Sequence, residues 1–202
     1  MGSFRPPANL HRFFRRLLWT IPVAALFWWL ALLFYSPALC WFTQGVARLT
    51  ESPPAAQIIP EGNRALLGRL DMKAGSARLR LSLIQIHSNL VPFLALVLAL
   101  PGRRTRTWWA SLGTGVLLLF ISHSLTLLWQ LKAFYAFSLG PWSAANYTDA
   151  HRALFGALRY FFDLPVTYTL PLLLWITLFS EQVVALVGIA QVDQGAQSAP
   201  RR

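Results

Sequence analysis

Ser111–Lys132 reads SLGTGVLLLFISHSLTLLWQLK, and the fold turns on this stretch. At a rise of ~1.5 Å per residue, a helix of this length covers the ~30 Å hydrocarbon core of a bilayer. The only ionisable group ahead of Lys132 is His123, set between Ser122 and Ser124 and followed by Thr126 and Gln130. Ionisable side chains at membrane depth are costly, face a bundle interior or a cavity, and mark candidate functional sites. The stretch therefore predicts a polytopic membrane protein with His123 as its first candidate residue.

The remainder of the chain agrees with that solvent. Of 202 residues, 55% are hydrophobic and 12% charged, with 9 Trp and 14 Phe. Soluble domains carry about 25% charged residues, so half that value points to lipid. The length allows one membrane bundle and a modest element outside it. Net charge is +11, but the basic residues fall between apolar runs rather than on one soluble face with nucleic-acid motifs. That distribution suits membrane topology and lipid head groups and excludes a nucleic-acid binder. A single cysteine, Cys40, excludes an internal disulfide framework and a thiolate metal cluster.

Outward from the central run, four spans are expected. Residues 1–16 form a basic tail with Arg5, Arg12, Arg15 and Arg16. Leu17–Leu39 is the first span. A cleaved signal peptide is the alternative, with Ser36-Pro37-Ala38 as its cleavage site, but its apolar core is normally about 7–15 residues and this run is longer and Trp-rich. Ile84–Leu100 is the second span, the central run the third, and Pro165 to about Ala190 the fourth. Between them, 41–85 is a polar excursion broken at Ser52-Pro53-Pro54. There Leu66, Gly68, Leu70 and Met72 alternate with Leu67, Arg69, Asp71 and Lys73. Beyond Ala74-Gly75-Ser76, Leu79, Leu81 and Leu83 alternate with Arg78, Arg80 and Ser82. Two period-2 runs around a Gly-containing turn predict a β-hairpin with one aliphatic and one cationic face. A lone hairpin is marginal in water, so its apolar face should rest on the bundle or the interface. The second excursion, 132–164, carries a helix from about Asp149 to Phe162. Its apolar stripe Leu154, Phe155, Leu158, Phe161 and Phe162 opposes Arg152 and Arg159, the pattern of an interfacial amphipathic helix. Residues 191–202 form a polar tail.

The fold class that follows is mainly α: a membrane domain over 17–190 of four transmembrane helices, with an outward β-hairpin and an interfacial helix. Short basic segments set orientation. The N-terminal tail, the 102–106 turn with its three arginines, and Arg201–Arg202 fall on one side, so both ends of the chain read as cytoplasmic. The hairpin loop and the interfacial helix then face the periplasm of a bacterial inner membrane.

Several polar residues meet at the outer half of such a bundle. His87 and Asn89 open the second span, Cys40 ends the first, and Asp149, His151, Arg152 and Asp163 flank the interfacial helix. Imidazole, thiol and guanidinium groups there would suit acid–base or nucleophilic chemistry, with His123, Cys40 and Arg152 as catalytic candidates. The bland reading of each is a structural one. His123 is then a buried imidazole bonded across helices, with His87, Asn89, Asp149, His151 and Asp163 in the same structural polar cluster. Cys40 is a small apolar residue. Arg69, Lys73, Arg78, Arg80, Arg152 and Arg159 meet lipid phosphates or a partner. No HExxH, Walker A, Rossmann glycine pattern or GxSxG occurs, and Glu181 is the one acid in the spans. These residues imply no cofactor and no metal, and a transporter would lack a polar path.

The order of these features resembles the exosortase H-associated membrane proteins. It comprises the basic tail and Trp-rich first span, RLDMKAGSARLRLSLIQIHSNLVPFLALVLALP, the GRRTR turn, ISHSLTLLWQL and a Pro-bearing last span. Exosortases themselves carry a cysteine in an Ala-x-x-Cys-x-Gly-like context with an arginine and a histidine, whereas Cys40 stands in Ala38-Leu39-Cys40-Trp41-Phe42. The resemblance therefore implies a membrane partner of the protease rather than the protease. The expected function is a non-enzymatic accessory or scaffold in protein sorting or envelope assembly. The alternative is an intramembrane cysteine/histidine enzyme, transpeptidase- or hydrolase-like, at the outer face.

Overall fold

The computed structural model describes residues 8–71, 78–102 and 104–187. Within them the chain is mainly helical, with one small sheet. Helix α1 spans Ala8–Leu49, strands β1 (Ala56–Glu61), β2 (Arg64–Arg69) and β3 (Leu79–Ser82) follow, and then α2 (Leu83–His87), α3 (Leu90–Ala99) and α4 (Arg106–Ser138). The chain continues through α5 (Pro141–Asn146), α6 (Asp149–Phe161), a π turn (Phe162–Val166), α7 (Thr167–Leu178) and α8 (Ser180–Val187). Three helices are long and apolar enough to cross a membrane: Leu10–Leu49, Arg106–Phe137 and Asp149–Leu178. Leu83–Ala99 is a shorter apolar helix.

Helix α1 differs from the expected first span at both ends. It runs 42 residues through Pro22 and Pro37, about 63 Å at ~1.5 Å per residue. Each proline removes one helical donor, yet the helix runs on through both. Phe13, Ala24, Leu32, Ser36, Cys40, Thr43 and Ala47 form its buried stripe. The opposite side exposes Trp19, Leu33, Phe34 and Trp41, each at 75% or more. Large apolar side chains all along an outward face are stable only in lipid. Cys40 therefore lies inside the helix rather than at its end.

The sheet also corrects the expectation. It has three antiparallel strands in the order β1-β2-β3, not a two-stranded hairpin. The added strand is AQIIPE, joined to β2 by the two-residue turn Gly62-Asn63, where Gly62 takes φ +59°. Gly-Asn between two apolar runs is a recognised hairpin signal. Ile58 pairs with Leu67, and Leu67 with Leu79. The buried face carries Ala56, Ile58, Ala65 and Leu67, so β2 turns its other set of residues inward from the one expected, and Leu70 is 55% exposed. The expected Ala74-Gly75-Ser76 turn and Met72 lie outside the described residues. The sheet is tied to α1 by Gln44 Oε1, which accepts from Ile58 N–H at 2.7 Å, and by Arg48 Nε, which donates to the Ala56 carbonyl at 2.9 Å. It is tied to α4 by the Tyr135 hydroxyl, which donates to the Gly68 carbonyl at 2.8 Å.

Two cores result. One, beneath the sheet, joins Leu39, Cys40 and Ala47 to the strands and to Leu127, Leu131 and Tyr135. The other, at the far end, gathers Phe13, Phe93, Trp108, Trp175 and Phe179. Gly115 on α4 lets α3 approach closely, since a Cβ there would overlap the Phe93 ring, whereas Gly113 faces open space. The helix expected over Asp149–Phe162 is present as α6. It continues through the π turn into α7 without a break, so Pro165 lies inside the turn rather than starting a new helix.

Candidate functional site

Between the two cores, α1, α2, α3, α4 and α7 bring together a set of buried polar groups, and its geometry follows from one proline. In a helix the Thr167 carbonyl would accept from the N–H of residue 171, but Pro171 has none. Asn89 Nδ2 fills that vacancy and donates to the Thr167 carbonyl at 3.1 Å. Because a carbonyl only accepts, the bond orients the Asn89 amide and turns Oδ1 toward His123. His123 Nε2 donates to Asn89 Oδ1 at 2.6 Å. That places the ring proton on Nε2 and leaves Nδ1 to accept from the Tyr35 hydroxyl at 2.7 Å. The chain Tyr35–His123–Asn89–Thr167 thus runs in one direction and satisfies every group in it.

His87 is held the same way. Trp28 Nε1 can only donate, and it does so to His87 Nδ1 at 3.2 Å; His87 Nε2 then donates to Ser36 Oγ at 3.3 Å. The Tyr35 ring stands edge-on to both imidazoles, with centroids at 5.7 Å from His87 and 5.9 Å from His123. His87 and His123 are 0% and 1% exposed. With both nitrogens of each ring engaged, neutral imidazoles cost little to bury here.

The remaining candidates do not join this network. Cys40 is fully buried among Leu39, Leu127 and Leu131, and no imidazole nitrogen is left to take its proton. Arg152 donates to Asp149 Oδ1 at 3.4 Å and to the Ser143 carbonyl at 3.3 Å, at the junction of α5 and α6. His151 is exposed; its backbone N–H donates to the Thr148 cap, and its ring stacks on Phe155 at 6.2 Å. Asp163 accepts from Gln130 Nε2 at 2.7 Å and lines, with Asn89, a cavity of about 580 Å³ between α3 and α7. Arg159 is exposed. Arg78 and Arg80 lie on the solvent side of the sheet, Arg80 3.9 Å from Glu61. Lys73 lies outside the described residues.

Arg69 departs most from the lipid- or partner-facing cation expected of it. It follows Leu67 on the buried face, and its side chain is 7% exposed. Its guanidinium lies 5.0 Å from the Tyr135 ring centroid and 4.4 Å from that of Trp142. Both fork arms donate to Asp71, at 2.9 and 2.7 Å. The hydrogen bonds from Arg69 hold the Asp71 carboxyl below its ordinary range. Nearby, Lys132 pairs with Glu51 at 2.8 Å, with side chains 12% and 7% exposed.

Sequence reading missed Trp28, Tyr35, Ser36 and Thr167 as partners. Tyr35-Ser36 inside an apolar run was a visible signal, as was a proline four residues after Thr167. Glu51 and Lys132 carried no signal, since 81 residues separate them. Among the described residues no group of three or more His, Cys, Asp or Glu could hold a metal ion. Comparison with models of protein families, with curated proteins and with solved structures found no match for this chain.

Proposed function

We propose that this chain is a four-span inner-membrane accessory or scaffold protein that assists protein sorting or envelope assembly without catalysing a reaction itself. Its resemblance points to an exosortase as the membrane partner. The observation that carries the reading is the closed hydrogen bonding of His87 and His123, with Cys40 packed apart from both. A site built for proton transfer leaves a ring nitrogen facing substrate, whereas this one joins five helices. Leu83–Ala99, about 25 Å long at ~1.5 Å per residue, forms the fourth span, close to the ~30 Å of the hydrocarbon core. Both described ends of the chain then lie on the cytoplasmic side with the Gly102 turn. The sheet and the interfacial start of α6 face outward, where Arg64, Arg78 and Arg80 present an exposed cationic face.

Photo-crosslinking from position 80 in living cells, followed by purification in mild detergent, tests the role. One membrane-protein partner and a sorting defect in the deletion strain are expected. Purification without any partner, together with normal sorting in that strain, would sink it. The four-span arrangement is checked separately by cysteines placed at Gly62 and Gly102 in a Cys40→Ala background. Only the first should label from outside the cell.

A further inference from the structure

A second cavity, of about 600 Å³, opens between the end of α1, the sheet, α4, α5 and α6. We propose that it holds a phosphate–primary ammonium zwitterion, the headgroup of a phosphoethanolamine-type phospholipid.

The cavity is lined by Glu51, Arg69, Trp129, Lys132, Trp142 and Tyr147 among others. Its charges are two pairs, the near-buried Lys132–Glu51 and the partly exposed Arg69–Asp71, so it is nearly neutral yet dense in polar groups. Neither a purely anionic nor a purely cationic ligand suits it. What the pairs leave unused is specific. Among the described residues Glu51 Oε2 is buried with no hydrogen-bond partner, and so is Trp129 Nε1. Among the described residues Lys132 Nζ bonds only Glu51 Oε1, which leaves two of its three donors. A buried carboxylate oxygen without a donor is costly. The terminal torsion of a glutamate is soft, so the carboxylate can turn that oxygen toward a donor entering the cavity.

The site therefore offers one acceptor with negative charge and several donors beside it. A primary ammonium supplies N–H groups to Glu51 Oε2. A phosphate accepts from the Lys132 ammonium and the Trp129 indole N–H. Trp142 and Tyr147 form an aromatic wall suited to the ammonium methylene arm. Trp129 and Phe155, stacked at 6.2 Å, form an apolar part of the cavity lining on α4 and α6, against which acyl chains would lie. Trp and Tyr beside a lysine at the end of an apolar run also match the headgroup level of a bilayer. Arg69, held against the Tyr135 and Trp142 rings, contributes the sheet's side of the cavity lining. The proposal rests on the membrane placement of the chain and not on its accessory role.

Native mass spectrometry of the full chain in detergent, with defined lipids added, tests it. Wild-type protein should retain phosphatidylethanolamine over phosphatidylglycerol, which carries the phosphate but no ammonium. Glu51→Gln keeps the shape and a bond to Lys132 while removing the charge. It should weaken phosphatidylethanolamine retention about tenfold or more, the value of a charged hydrogen bond, and erase the preference. Trp129→Phe keeps an aromatic ring, removes the indole donor, and should weaken both lipids severalfold; it serves if the Glu51 variant does not fold. Competition by soluble glycerophosphoethanolamine would assign the site to the headgroup alone, and lack of competition to the whole lipid; either supports the proposal. Equal retention of the two lipids by wild-type protein, phosphatidylethanolamine retention unchanged in both variants, or a peptide recovered in the cavity in place of lipid would overturn it. None of these results depends on whether the chain binds a sorting partner.

Discussion

Asn89, capping the start of α3, donates to the Thr167 carbonyl on α7, 3.1 Å away, because Pro171 leaves that carbonyl without a helical partner. One bond fixes the amide orientation, the tautomer of His123 and the direction of the Tyr35 hydroxyl. It ties the start of α3 to α7, and the His123 bond to the same amide adds α4.

Asn89→Leu should therefore cost more than one hydrogen bond. It orphans His123 Nε2–H and the Thr167 carbonyl together, and each buried orphan costs about 1–3 kcal/mol. Interhelical bonds in membranes average only ~0.6 kcal/mol because the unfolded state finds partners too. We expect a net loss of about 2 kcal/mol, read from denaturant unfolding in detergent. Thr167→Ala should be milder, since the carbonyl remains.

The contact of Gly115 with Phe93 gives a paired prediction. Gly115→Val drives a side chain into the Phe93 ring, and overpacking typically costs about 1–3 kcal/mol. Gly113→Ala meets nothing within 4 Å and should cost nothing, with a gain of up to about 1 kcal/mol from helix propensity. Shortening Phe93 to Ala should recover part of the Gly115→Val loss in a double-mutant cycle. Strict additivity would show that the two residues do not touch.

Cys40, fully buried in α1, should resist maleimide in the folded protein and label rapidly after denaturation. Cys40→Ala should leave the proposed partner binding intact and cost about 1 kcal/mol or less through lost packing. Loss of function with stability intact would revive a catalytic thiol.

Acid should loosen the sheet locally. The Asp71 carboxyl is held low by its bonds from Arg69, so the pair contributes stability above the unfolded carboxyl value of about 3.9. That contribution disappears as pH falls through the lower folded value. Amide protection in β2 should fall as pH drops below that unfolded value. In Asp71→Asn the same amides should show no such step. The pair is partly exposed, with Asp71 at 38%, so a small local effect is expected rather than global unfolding.

The candidate site was legible only in part. His87, Asn89 and His123 stand out because polar residues in apolar runs are visible locally. Trp28 and Tyr35 were hidden among nine tryptophans and five tyrosines, most of which serve as apolar bulk. Arg69 was misread because alternation in β2 is ambiguous where leucines occupy both faces. Leu66 and Leu67 are equally apolar, and the pairing of Ile58 with Leu67 decides between them.

By itself the sequence determined the apolar helices, the basic turn between them and the presence of strands before the second apolar run. Each depends on the transfer of a contiguous segment or on a period of two, and both are local properties. Only the tertiary structure decided that α1 continues past Pro37 to Leu49, that the sheet has a third strand, and that α6 runs on into α7. It alone decided the partners of His87 and His123, the burial of Arg69 and the Lys132–Glu51 pair. Those outcomes depend on the rotation and offset of one element against another, and residues 81 apart in the chain share no local pattern that could announce them.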